Sequence, residues 1–123
     1  MDYRNILNHC PVVYTMDMIG GRWEMALIWL INEYPQIRYG QIKKIYPMIT
    51  NTSLTRTLQH LEQSGIISRT DFNENPPRVE YSLTSKGMQF LPVLECITKI
   101  GGQIMSEEGK RGYFPNINEI LNK

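Results

Sequence analysis

Arg56 lies in a stretch built for contact with an acidic partner. From Tyr34 to Leu61 the chain has no Asp or Glu, while Arg38, Lys43, Lys44 and Arg56 all fall there. A guanidinium can take a guanine edge bidentately or clamp a phosphate. Thr52, Ser53, Thr55 and Gln59 beside it offer hydroxyl and amide groups that suit base edges. The ammonium groups of Lys43 and Lys44 suit backbone phosphates, which give affinity without sequence information. Arg78 flanks the polar run 73–77, and can reach a neighbouring minor groove or phosphate. A cross-strand pair with a carboxylate such as Asp71 is its competing use. The residue types in this window point to double-stranded DNA as the partner.

The other candidate chemistry is thinner. Cys10 precedes Pro11, and a thiol reacts when exposure and nearby positive charge favour its thiolate. His9 and Arg4 could supply that charge, whereas a small packed side chain is the alternative use. Cys96 falls on an apolar helix, where packing explains it better. With two His and two Cys in all, and no C-x-x-C or H-x-x-x-H pair, metal binding has no support. No nucleophile–base–carboxylate motif or glycine-rich phosphate loop occurs, so the chain reads as neither an enzyme nor a cofactor carrier.

The elements that must position these groups follow from punctuation and periodicity. With 123 residues, 41% of them hydrophobic, the chain amounts to one domain, 1–123. A net charge of +1 excludes a globally basic surface of histone type. Two cysteines make no disulfide framework, the longest apolar run (Met25–Ile31) cannot span a bilayer, and residues 1–11 lack a signal-peptide core. A cytoplasmic, non-membrane protein is expected.

A short helix over Val12–Ile19 should stop at Gly20-Gly21. Arg22–Glu33 is apolar on nearly every side and should be the central core helix. A small strand over Gln36–Arg38 precedes a helix, Tyr39–Ile45, whose Ile42 and Ile45 point inward. Pro47 marks a turn, and Thr50 or Asn51 can cap a second helix, Asn51–Gln63. There Leu54, Leu58 and Leu61 form one apolar stripe. Thr52, Ser53, Thr55, Arg56, Gln59, His60 and Gln63 occupy the opposite face. Two β-rich runs follow, Ile66–Phe72 and Arg78–Leu83; in the second, Val79, Tyr81 and Leu83 alternate with polar residues. A long helix should then start at Thr84 and be kinked by Pro92. Its broad stripe (Phe90, Leu91, Val93, Leu94, Ile97, Ile100, Ile104) exceeds what a small core needs, which predicts a dimer interface. The tail from Ser106 is loop-like, with Ile117, Ile120 and Leu121 able to form a last turn against the partner. The sum is an α+β, mainly α, winged helix-turn-helix with added N- and C-terminal dimerisation helices. Its recognition helix spans about 51–63, its wing 66–83 and its dimerisation helix 85–105.

Three runs then resemble a known family in order and separation. CPVVYTMDMIGGRW (Cys10–Trp23), NTSLTRTLQHLEQSGIISR (Asn51–Arg69) and PPRVEYSLTSKG (Pro76–Gly87) are similar to the HxlR-type winged-helix regulators, bacterial relatives of the MarR group. The likeness covers roughly Cys10–Gly102. It departs at Arg22, where Lys is more usual, and at Tyr39, which replaces the common Phe. The resemblance implies a homodimeric, cytoplasmic DNA-binding transcriptional regulator. Many members respond to oxidants or electrophiles through a cysteine just before a proline near the N-terminus, the position of Cys10. Two alternatives stay open: a winged-helix protein-interaction module without DNA binding, and a regulator switched by a small-molecule effector. In the latter case Tyr14, Trp23, Trp29 and Phe90 could line the pocket.

Overall fold

A helix that is apolar all round belongs at the centre of a fold, and α2 (Glu24–Glu33) sits there. Leu27, Ile28, Leu30 and Ile31 are each no more than 1% exposed. The computed structural model describes residues 9–110, 112 and 116–122; Arg4, assigned a role beside Cys10, lies outside them. Before α2 comes α1 (Pro11–Ile19), opened by a proline whose missing N–H costs nothing in a first turn.

Beyond α2, the strand β1 (Ile37–Arg38) leads into α3 (Tyr39–Ile45) and then α4 (Asn51–Gln63). The bounds of α3 and α4 are those predicted. Thr50 caps α4 by accepting from the Ser53 N–H at 3.1 Å. Leu54, Leu58 and Leu61 turn inward at 0, 3 and 0% exposure, as do Ile42 and Ile45 of α3. At the far end of α4, Gly65 takes a left-handed φ of 76°, where glycine carries no Cβ penalty, and turns the chain into the sheet.

The wing strands are shorter than their β-rich runs. β2 (Ile67–Asp71) and β3 (Val79–Leu83) pair antiparallel, Ile67 opposite Leu83 and Asp71 opposite Val79. β1 joins the other edge of β3, placing Ile37 opposite Tyr81 and Arg38 opposite Glu80, in the order β1-β3-β2. The expected alternation of β3 holds only at its centre, since Tyr81 alone is buried there. A strand flanked on both sides and lying close to α2 has no cleanly solvated face.

One expectation is corrected by the stretch after β3. Instead of a kinked helix from Thr84, a four-residue α5 (Ser85–Met88) ends, and α6 (Leu91–Glu107) begins anew. Pro92 falls in the first turn of α6, where its missing donor interrupts nothing, so there is no interior kink. The Thr84 hydroxyl ties this corner down by donating to the Gly65 carbonyl at 2.5 Å and accepting from the Gly87 N–H at 3.1 Å. A Cβ on Gly87 would collide with the Ile66 carbonyl oxygen. Gly87→Ala should therefore lower stability by about 1–3 kcal/mol, read from the midpoint of a denaturant melt.

The tail forms the expected last helical turn, α7 (Ile117–Leu121), which packs on α3, with Ile117 only 8% exposed. A short apolar segment close to an open core edge buries itself locally.

Candidate nucleic-acid interface

With its leucine stripe buried, α4 must present its other side to solvent. Thr52, Thr55, Arg56 and Gln59 recur at i, i+3, i+4 and i+7 and share one shallow exposed surface with Asn51. Arg56 makes no intrachain ion pair or hydrogen bond among the described residues, so its five donors remain for a partner. Ser53 stands apart from this group. It is half-buried, with its N–H spent on the Thr50 cap and its carbonyl accepting from the buried Thr57 hydroxyl at 2.8 Å. His60 also leaves the exposed face. Its Nε2 lies 2.7 Å from the Asp17 carbonyl oxygen and ties α4 to α1.

Asn51 was read from the sequence only as a cap, yet it belongs to the surface. The Tyr39 hydroxyl donates to its Oδ1 at 3.1 Å, which orients the amide at the helix start. Its spacing of four from Thr55 was the available signal. Arg69 is the other residue missed. Exposed on β2, it lines a cleft between α4 and the wing with Tyr39, Gln59 and Tyr81. It lies just past the carboxylate-free window, and the turn at Gly65 folds β2 back against α4.

The lysines of α3 have partners within the chain. The Lys43 ammonium donates to the Ile49 carbonyl and braces the turn before α4. Lys44 donates to the Leu121 carbonyl at 3.1 Å, fastening α7 to α3. Arg38 is exposed at the start of α3 but stands opposite Glu80, so folding brings a carboxylate to the edge of the basic window. Arg78 pairs with carboxylates, but with near neighbours in sequence instead of across the strand pair. Its guanidinium lies 3.5 Å from Glu74 and 3.6 Å from Glu80, and its Cζ stacks 3.7 Å over the Phe72 ring. Its Nε is buried without a hydrogen bond, since Glu80 sits just beyond bonding distance. Arg78 thus braces the base of the wing tip in this structure.

Around the turn, Tyr46 donates to the Ala26 carbonyl at 3.3 Å and packs on Trp23, with ring centroids 5.9 Å apart. Burial pushes its phenol up to about 12.

The pattern of the HxlR-like helix-turn-helix family matches residues 18–109. The chain belongs to that family. The match runs past Gly102, where the recognised pattern was expected to end, and begins after Cys10. A helix-turn-helix-type transcriptional regulator of Halalkalibacterium halodurans is 40% identical over 91 residues, 74% of this chain and 80% of that protein. Among solved structures, the redox regulator HypR in its oxidised form is 35% identical, with a TM-score of 0.71 over 85% of this chain and all of that one. The structure described as the helix-turn-helix-type regulator YtcD is 30% identical, with a TM-score of 0.75 over 79% of this chain and 98% of the other. This HxlR-like chain is a transcriptional regulator with a winged helix-turn-helix, mainly helical with a small three-stranded sheet. The family is one of regulators rather than enzymes. No helix among the described residues is long and apolar enough to cross a membrane.

Proposed function

We propose that this regulator binds double-stranded DNA sequence-specifically, as a homodimer on an inverted-repeat operator, through two copies of α4. One observation carries the reading: Asn51, Thr52, Thr55, Arg56 and Gln59 form a single exposed surface on a helix whose opposite stripe is buried. Arg56 reads or clamps at its centre, Thr52, Thr55 and Gln59 reach base edges, and Ser53 supports the first turn. Arg38 and Lys44 add charge at the flank, while Lys43 and Arg78 act by holding the turn and the wing that lie against the duplex. Two such helices on a two-fold axis meet half-sites ~10 bp apart, or a multiple of that.

The second copy comes from α6. None of its residues is buried, and Val93, Ile97, Ile100 and Ile104 are 40, 49, 58 and 47% exposed. A stripe of that kind is out of place on a monomer and suits a two-fold partner. A titration of operator affinity against salt tests DNA contact against a pure protein-interaction role. Log affinity should fall by about 0.9 per log unit of salt for each phosphate neutralised, and a flat line would favour the interaction module.

We further propose that oxidants or electrophiles act at Cys10, which is half-buried beside α1 and open enough for a small reagent. Its support is the likeness to HypR, itself described as a redox regulator. Diamide should release the wild type from its operator and leave Cys10→Ser bound; equal release from both would remove the thiol from the mechanism.

An effector-switched regulator is the second reading, favoured by a cleft of about 720 Å³ between α2, α6 and α7. Of the aromatic residues expected there, only Trp29 lines it, joined by Tyr34, Leu91 and Leu94. That reading requires a small molecule to release Cys10→Ser as readily as wild type.

A further inference from the structure

Met48 is 65% exposed and stands outside the buried core. The other large exposed apolar residues among those described fall into two groups. Val12, Tyr14, Met16, Met88, Val93, Ile97, Ile100 and Ile104 belong to α1, α5 and α6, away from α4 in the chain. Phe72 lies beneath the Arg78 guanidinium. Met48 alone stands at the head of α4, two residues before the Thr50 cap.

Its backbone is pinned on both sides. Before it, Tyr46 is tethered to the Ala26 carbonyl and packed on Trp23. After it, Ile49 is 1% exposed, its N–H donates to the Tyr46 carbonyl at 3.2 Å, and its carbonyl accepts from Lys43. Pro47 restricts the chain between these anchors. The turn therefore leaves one flexible thioether exposed just before Asn51 and Thr52, where the surface proposed for DNA begins.

We propose that Met48 is a specificity-determining residue that packs against the C5-methyl group of a thymine in the major groove. The inference rests on the DNA-binding reading above. A recognition helix meets base edges with its N-terminal residues, so a side chain projecting at that end reaches the groove floor or its rim. Thymine is the base that presents a methyl there, and an apolar side chain distinguishes it through that group. A thioether suits the task because it is polarisable and adapts its shape to the contact.

The test uses duplexes recovered by the wild-type protein from a random-sequence pool. Each thymine is replaced in turn by deoxyuridine, which removes only the methyl. At one symmetric pair of positions, wild type should lose about fourfold in affinity per half-site, the worth of one buried methyl-sized group. Met48→Ser should lose a similar factor on the thymine duplex and nothing further on the deoxyuridine duplex. Met48→Leu should restore thymine preference. Equal deoxyuridine sensitivity in wild type and Met48→Ser, or none in wild type, overturns the assignment while leaving DNA binding intact. Failure to recover any duplex overturns it together with the reading it rests on. Met48 contributes nothing to the core, so these variants should melt with wild type.

Discussion

Arg56→Ala should bind the operator about 1–3 kcal/mol more weakly per half-site, and discriminate less at the base pair it contacts. The magnitude follows from what surrounds the side chain. No carboxylate of the described chain pairs with Arg56, so truncation breaks no internal bridge, and the whole effect should fall on DNA. Exposure makes it expendable for folding, so the variant should keep the wild-type melting midpoint. Two copies in a dimer would compound the loss to roughly 2–6 kcal/mol when half-sites act independently. Quantitative binding on the selected duplex and on single-position variants separates the outcomes. A uniform loss at every sequence, with a shallower salt slope, would make Arg56 a phosphate clamp. Unchanged affinity would mean that α4 does not face the duplex.

The other large effect is expected at α6. Replacing Ile97 and Ile100 together by Glu should convert the dimer to a monomer of 14.4 kDa in light scattering. Both side chains are about half exposed in the single chain, so the substitutions spare the core. In the dimer they would place like charges in an apolar seam, which costs several kcal/mol. Operator binding should fall with the dimer, because a lone subunit grips one half-site and forfeits the linkage between two. A variant that stays dimeric at micromolar concentration would move the interface elsewhere, the exposed residues Val12, Tyr14 and Met16 of α1 being the next apolar surface.

How far the sequence announced this depends on whether each signal was local. The bounds of α3 and α4 were legible because Pro47, Thr50 and Ser64-Gly65 punctuate the chain where the apolar period starts and stops. Most of the surface around Arg56 was legible for the same reason, as one helix carries it, although Asn51 belongs to it and Ser53 does not. Pro92 misled because a proline among apolar residues reads as a kink in one helix as easily as the first turn of another. What separates the two is the Thr84 and Gly87 corner, a tertiary contact. The contacts of Lys44 and His60 were hidden in the same way. On a helical projection His60 and Lys44 look like solvated polar groups. Their partners, the Asp17 carbonyl and the Leu121 carbonyl, lie 43 and 77 residues away. Arg69 escaped notice because it lies outside the carboxylate-free window, and its nearness to α4 depends on how the Gly65 turn folds β2 back.

Selection of duplexes from a random pool by the intact protein is the most direct measurement, because it reports binding, symmetry and spacing at once. The account predicts enrichment of an inverted repeat with half-sites ~10 bp apart or a multiple of that, lost in Arg56→Ala. No enrichment over the starting pool, at a salt concentration low enough for phosphate contacts to hold, would contradict it.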